Sequence, residues 1–180
     1  MTTELYHNFN RCSTCQAMVA ENTRLTTELD AARWNPLLEM YNLAGGLAAI
    51  AALPAGTYAV VFCDIDRLKR LNSATGNHIQ TNRYLAQGLK VRRGEIAFQF
   101  LGDEFVFILT DWRGYADPAA FAERIEAQLA AQPLTWAERA AINGAALSGT
   151  FAWRAGVANV AILPAIEQLS IAVLAQKAAR

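Results

Sequence analysis

The sequence is short of several things that a chain of 180 residues often carries. It has only three cysteines, Cys12, Cys15 and Cys63, too few for a disulfide framework. Its 16 basic and 16 acidic side chains cancel, so no net field draws it to nucleic acid or to an anionic membrane. The most apolar stretch, Leu43 to Leu53, is too short to cross a bilayer and carries Gly45 and Gly46. The N-terminus has no charged-then-apolar leader pattern. These absences exclude a general polyanion binder. The expectation is no nucleic-acid partner, no membrane insertion and, by default, a cytoplasmic location. What the chain does have is apolar mass. Hydrophobic residues make up 53% of it, enough for one core of ordinary domain size plus a modest extension.

Residues 1–12 read as a loose arm. A helix is predicted from Ser13 to Ala32, with Ser13 or Thr14 as its N-cap. Within it Cys15, Met18, Asn22, Leu25, Leu29 and Ala32 recur at three- and four-residue steps. That is a seam, and a polar Asn inside a seam fixes register in a two-stranded coil. Packing of the helix on its own domain is an equal alternative. Cys12 and Cys15 form a CxxC pair with His7 upstream. Three readings stay open for the pair: ordinary thiols at a helix start, half of a metal site completed by a second chain, or a redox pair. Cys63, inside an apolar run, reads as core.

The remainder is predicted to alternate. A helix spans Leu37 to Leu53, with Leu37, Met40, Tyr41, Leu47 and Ile50 on its apolar side. Pro54 to Gly56 is a turn, and Thr57 to Cys63 a buried strand. Helices follow from Leu68 to Ser73 and from His78 to Leu89, broken near Gly76. Two strands, Glu95 to Phe100 and Phe105 to Leu109, flank a hairpin at Leu101 to Glu104. Asp117-Pro118 opens a helix reaching Gln132, which Pro133 ends. Ala146 to Trp153 is a strand and Pro164 to Ala179 a last helix. The order is that of a mixed α+β fold, a mostly antiparallel sheet flanked by helices. Residues 1–32 form the N-terminal arm and helix, a candidate dimerising coil, and residues 33–180 the main domain.

Two acidic segments about 40 residues apart carry the chemistry. The first is Val60-Val61-Phe62-Cys63-Asp64-Ile65-Asp66 and the second Phe100-Leu101-Gly102-Asp103-Glu104-Phe105. Carboxylates beside a buried strand need a partner for their charge. If the two strands are neighbours, both segments reach one cation. Such a site suits Mg²⁺ held by few carboxylates and by the phosphates of a nucleotide.

At these residues the chain resembles the GGDEF family, the diguanylate cyclase domains. Asp64-Ile65-Asp66-Arg67-Leu68-Lys69-Arg70-Leu71-Asn72 is similar to the family's D-[IV]-D-x-[FL]-K-x-[IL]-N segment, and Gly76 fits the glycine that follows. Leu101-Gly102-Asp103-Glu104-Phe105 resembles the signature hairpin. Trp34 to Asn42 is loosely similar to the D-x-L-T-G-L-x-N-R entrance, and Gln176-Lys177 to the family's final A-K. The resemblance implies a polymerase- and adenylyl-cyclase-like palm built on a five-stranded sheet. It implies two GTP molecules joined into cyclic di-GMP, one held by each of two facing domains. Carried over by position, Asp64, the carbonyl of Ile65 and Asp103 hold Mg²⁺ or Mn²⁺. Glu104 deprotonates the attacking hydroxyl or holds a second metal. The backbone N–H groups of Arg67 and Leu68 receive phosphate oxygens. Lys69 and Lys177 neutralise phosphate charge, Asn72 contacts the base, and Gly102 lies against the nucleotide.

The chain also departs from that pattern. The first signature glycine is Leu101, and the histidine expected after Gly76 is Asn77, with His78 one place later. Gln80 and Thr81 stand where the family has G-D, so Thr81 lacks the charged acceptor for guanine and selectivity is expected to relax toward ATP. The product-inhibition segment R-x-x-D becomes Arg92-Arg93-Gly94-Glu95, and the arginine two places before the signature is Gln99. The entrance Asp and Arg are Asn35 and Leu43, and Arg180 falls one place short of the closing arginine. Two functions follow as expectations. One is a divergent, metal-dependent nucleotide cyclase acting as a homodimer. The alternative is a catalytically degenerate domain that binds a nucleotide or a protein partner in signalling.

Overall fold

The computed structural model describes residues 12–66, 85, 88–110, 112, 118–130 and 149–179, and in these six strands form one sheet. They are β1 (Trp34–Asn35), β2 (Met40–Tyr41), β3 (Thr57–Ile65), β4 (Ile96–Leu101), β5 (Glu104–Leu109) and β6 (Gly149–Ala158). The helices are α1 (Ser13–Ala32), α2 (Leu43–Ala51), α3 (Pro118–Ala130) and α4 (Ile162–Ala178), the last entered through a 3-10 turn at Asn159–Ala161. The sheet order is β1-β2-β4-β5-β3-β6, and every pairing is antiparallel except β2 with β4. The mostly antiparallel α+β architecture is as expected. Among the described residues the short β1–β2 hairpin at one edge brings four longer strands to six, where five were expected.

Alternation of side chains along a strand explains why the central strands are apolar almost without a break. In β3, Ala59, Val61, Cys63 and Ile65 face one layer, together with Ala97, Phe105, Phe107, Phe121 and Ile125. Tyr58, Val60 and Phe62 face the other, with Phe98, Val106, Ile108 and the inner side of α4: Ile162, Ala165, Ile166, Leu169 and Val173. Both faces are covered, so neither parity of β3 or β5 meets water. Phe107 packs edge-on against Phe121, with ring centroids 5.1 Å apart.

Local chemistry corrects three expectations. Leu37 to Leu53 is not one helix. Asn35 Oδ1 accepts from the backbone N–H groups of Leu37 and Leu38, and Glu39 adopts a left-handed φ of 51°, so the chain turns back as a hairpin. Asn42 Oδ1 then accepts from Gly45 N at 3.0 Å, and the helix begins only there. Met40 and Ile50 are buried as expected, whereas Leu37 and Leu47 are exposed. Second, α1 is capped by Cys12, whose Sγ accepts from Cys15 N, and not by Ser13 or Thr14. Third, Asn159 to Ala178 has the length and, with a mean hydropathy of 1.3, the composition to cross a membrane. In this fold it lays one face on β6 and β3 as a core helix. The helices expected at 68–73 and 78–89 lie outside the described residues, apart from buried Leu85, Gly88 and Leu89. α1 has no buried residue anywhere along its length.

α2 approaches β4 through Gly46, where a Cβ would meet the Phe98 ring at 2.2 Å. Gly46→Ala is expected to destabilise the domain by about 1–3 kcal/mol in urea unfolding, because ring and helix must separate. Gly56→Ala, where the nearest atom would be 3.4 Å away, is expected to shift stability by no more than about 0.5 kcal/mol.

Candidate active site

The acidic residues meet because of register and parity. β3 lies beside β5 with Asp64 directly opposite Glu104. Asp64 shares its parity with Phe62, and Glu104 with Val106, so both carboxylates point to the α4 side of the sheet. Gly102 and Asp103 make the turn between β4 and β5, with Gly102 at a φ of +51° that suits glycine. Ile65 N donates to the Asp103 carbonyl at 3.0 Å, which ties that turn to the end of β3. β6 lies on the other side of β3, with Thr150 opposite Asp64. Thr150 is buried, and its hydroxyl donates to Asp66 Oδ1 at 2.9 Å. From above, the last turn of α4 lowers Lys177 onto Asp64, with its Nζ 3.8 Å from Asp66 Oδ1.

Among the described residues one cation, Lys177, thus faces a group of carboxylates. Burial pushes the Asp64 carboxyl above its ordinary range; the Lys177 hydrogen bond opposes the shift, and Asp103 and Asp66 reinforce it. Glu104 is raised as well, first by burial, then by the Asp64 and Asp103 charges, with Lys177 again opposing. The donor set is all oxygen, which suits a hard divalent cation such as Mg²⁺ or Mn²⁺. Among the described residues no three His, Cys, Asp or Glu side chains converge on one point. The protein therefore offers such an ion a partial shell of carboxylates and backbone carbonyls, which a ligand with its own oxygens would complete.

Of the residues expected at the site, Asp64, Ile65, Gly102, Asp103, Glu104 and Lys177 stand together at this end of the sheet. Arg67, Leu68, Lys69, Asn72 and Thr81 lie outside the described residues. Arg92 and Glu95 precede β4 and so sit at the opposite end of that strand from the turn. Glu95 is directed inward: its Oε2 accepts from Arg92 N at 2.7 Å and lies 3.4 Å from Arg124 Nη2. Leu101 is 59% exposed at the lip of the turn. Two features were not foreseen. One is Thr150, a lone hydroxyl in an apolar strand, which is the only signal it gives. The other is a chain of amides, in which Gln99 Nε2 donates to the Gly102 carbonyl at 2.7 Å.

A sheet of this topology, with acidic groups at the end of its central strand and at the adjoining turn, defines a palm-type domain. The sequence model described as "Diguanylate cyclase, GGDEF domain" matches residues 47–156, and the chain belongs to the GGDEF family. Similar solved structures include the diguanylate cyclase SiaD from Pseudomonas aeruginosa, in complex with its activator SiaC. It is 16% identical with a TM-score of 0.60, over 99% of this chain and 73% of that one. The coiled coil and GGDEF domain of DgcB from Caulobacter crescentus, in complex with c-di-GMP, is 18% identical with a TM-score of 0.57, over 93% and 94%. A sensory box/GGDEF family protein from Caulobacter crescentus CB15 is 21% identical with a TM-score of 0.53, over 80% and 99%. At these identities the likeness is one of fold. No curated protein matches the sequence.

The charge imbalance makes a signed prediction. Because both carboxyls are raised, the folded state holds protons at a pH where the unfolded chain has lost them. Stability is therefore lost as pH rises through the raised values and regained on acidification toward the ordinary carboxylate range. Glu104→Gln removes one repelling charge. It is expected to melt higher than the wild type at pH 7, with the gap narrowing toward pH 5. A lower melting temperature for the variant at pH 7, or a gap that widens on acidification, would contradict the electrostatic account.

Proposed function

We propose that the chain is a divergent nucleotide cyclase. It condenses two nucleoside triphosphates, GTP with relaxed selectivity toward ATP, into a cyclic dinucleotide with release of pyrophosphate. The observation that supports this reading best is the convergence of Asp64, the Asp103-Glu104 turn and Lys177 on one end of the central strand. The reaction is an in-line attack of a ribose 3′-hydroxyl on an α-phosphorus, which asks for positioning and charge stabilisation more than for covalent chemistry. Asp64, the Ile65 carbonyl and Asp103 would hold Mg²⁺ or Mn²⁺, which when bound neutralises charge on the transferring phosphate. Glu104, with its affinity for a proton raised, is suited to accept the hydroxyl proton near neutral pH. Lys177 exchanges its carboxylate partner for a phosphate oxygen when the nucleotide arrives. The N–H groups of Arg67 and Leu68 and the Lys69 ammonium receive the remaining phosphate charge, and Asn72 and Thr81 meet the base. Exposed Leu101 loses no core packing by replacing glycine at the lip of the turn.

Each domain holds one nucleotide, so the reaction needs two. α1 supplies the means. Met18, Leu25 and Leu29 are 67%, 48% and 49% exposed on a helix that buries nothing within its own chain. We assign residues 1–32 to a dimerising stem and residues 33–180 to the cyclase domain, with a second copy of the chain as partner. Product feedback through Arg92 and Glu95 is disfavoured, because Glu95 is engaged by Arg92 N and Arg124 inside the fold.

The decisive experiment is mass analysis of products after incubation with GTP and ATP plus Mg²⁺ or Mn²⁺. A cyclic dinucleotide is expected, abolished by Asp103→Ala and slowed about 100-fold by Glu104→Gln. Absence of any cyclic or linear dinucleotide, with nucleotide still bound by calorimetry, would favour the second reading, a degenerate nucleotide receptor, for which Leu101 and Thr81 speak. Replacing Leu25 and Leu29 by Asp is expected to give a monomer by light scattering, at least tenfold less active, with the domain still folded. An unchanged dimer would refute the stem.

A further inference from the structure

The signature turn is held by a chain of amides that runs from the base of α1. Asn35, in β1 three residues after the end of that helix, accepts on Oδ1 from Leu37 N at 3.0 Å and Leu38 N at 3.2 Å. With two donors fixing the oxygen, the nitrogen end of its amide is fixed as well. That Nδ2 donates to Gln99 Oε1 at 2.9 Å. Gln99 is thereby oriented in turn, and its Nε2 donates to the Gly102 carbonyl at 2.7 Å. The direction of donation is the same at every step, from two backbone N–H groups to one backbone carbonyl. The far end of the chain lies in the residue before Asp103. The β1–β2 hairpin that carries Asn35 is tied to the end of α1, since Asn42 Nδ2 donates to Ala32 O at 2.7 Å and Asn42 N to Arg33 O at 3.0 Å.

We infer that Asn35 and Gln99 are positioning residues for the active-site turn, acting as one directional hydrogen-bonded unit. Neither touches the reacting groups. Gln99 fixes the peptide that follows Gly102, and so sets where the Asp103 and Glu104 carboxylates stand relative to Asp64. Asn35 fixes Gln99. A single carboxylate in place of the Asn35 amide breaks the unit: it has no donor for Gln99 Oε1, so Gln99 must flip and set its oxygen against the Gly102 carbonyl. A guanidinium in place of Gln99 repairs the same lesion, because it donates to a carboxylate and to a carbonyl at once. The two positions are also ones at which the chain departs from the family pattern. In this structure the two are in contact.

The catalytic part of this inference rests on the cyclase reading, so the test has an arm that does not. Full-length wild type, Asn35→Asp, Gln99→Leu and the combination of Asn35→Asp with Gln99→Arg are compared. The readouts are amide hydrogen exchange across residues 101–104, melting temperature, and kcat and KM for dinucleotide synthesis. Both single variants are expected to exchange about fivefold or more faster in the turn. They should lose about tenfold in kcat with KM little changed, and melt within about 2 °C of wild type. The combination should restore both turn protection and kcat. A turn whose exchange is the same in Gln99→Leu as in wild type would overturn the inference. So would a combined variant no better than Asn35→Asp, or single variants whose exchange rises evenly over the whole sheet. If the wild type makes no dinucleotide, the exchange arm still decides the inference while the cyclase reading fails. If it makes dinucleotide and the turn is indifferent to these substitutions, the reading stands and the inference fails.

Discussion

The arrangement depends on one physical constraint: a carboxylate placed at the end of a strand that is buried on both faces. Asp64 cannot be solvated there as it would be at a surface, and its raised proton affinity measures that cost. Three elements converge on it, and of these α4 supplies the compensating charge. β5 brings Glu104 into register opposite, which worsens the charge. β6 brings Thr150, which satisfies Asp66. The last turn of α4 brings the Lys177 ammonium. α4 packs its apolar side on the even-numbered face of β3, and its only lysine lies in the last turn, where it meets that carboxylate.

The same constraint bears on the chemistry proposed for the site. Lys177 is half-buried and contacts only two of the carboxylates within ion-pair range. Among the described residues a single ammonium faces several acids, a net negative field of the kind that the proposed divalent cation and triphosphate would rearrange. A fully neutralised cluster would be more stable and would bind less. The stability gain expected on removing Glu104's charge is thus the counterpart of the chemistry it is proposed to perform.

Much of this was legible in the sequence, and the parts that were not share a cause. The apolar runs at 57–63 and 105–109 announced strands, and Leu101 to Glu104 between apolar segments announced the hairpin. That Asp64 and Glu104 share a face follows from the register between their strands, which the structure supplies. Hidden instead were relations across the chain. Periodicity shows that the even face of β3 is covered but not that α4 covers it, so Lys177 could be assigned to phosphate but not seen on Asp64, 113 residues away. The β1–β2 hairpin was hidden for a different reason. The 37–53 segment has a helical apolar pattern, and what breaks it is one side chain, Asn35, capturing two backbone donors, together with a left-handed Glu39. Local side-chain to backbone hydrogen bonds overrode a periodicity that was real but irrelevant. The residues at 67–84 that complete the resemblance lie outside the described part, so the motif carries their roles alone.

The replacement of charged groups by amides around the turn has an electrostatic consequence of its own. A guanidinium at position 99 would sit two residues from the signature and add a cation beside Lys177, the one cation that the described residues bring to the carboxylates. It would draw the carboxyls of Asp64 and Glu104 back toward their ordinary range and weaken the demand for a metal. Gln99 does the mechanical work of holding Gly102 without that field. The chain therefore keeps a rigid turn and a more negative site together, a combination that an ion pair at the same positions would not give. In this light the amides at Asn35 and Gln99 are not eroded versions of charged residues. They separate two jobs, placing the turn and setting the charge, that a guanidinium would have to do at once.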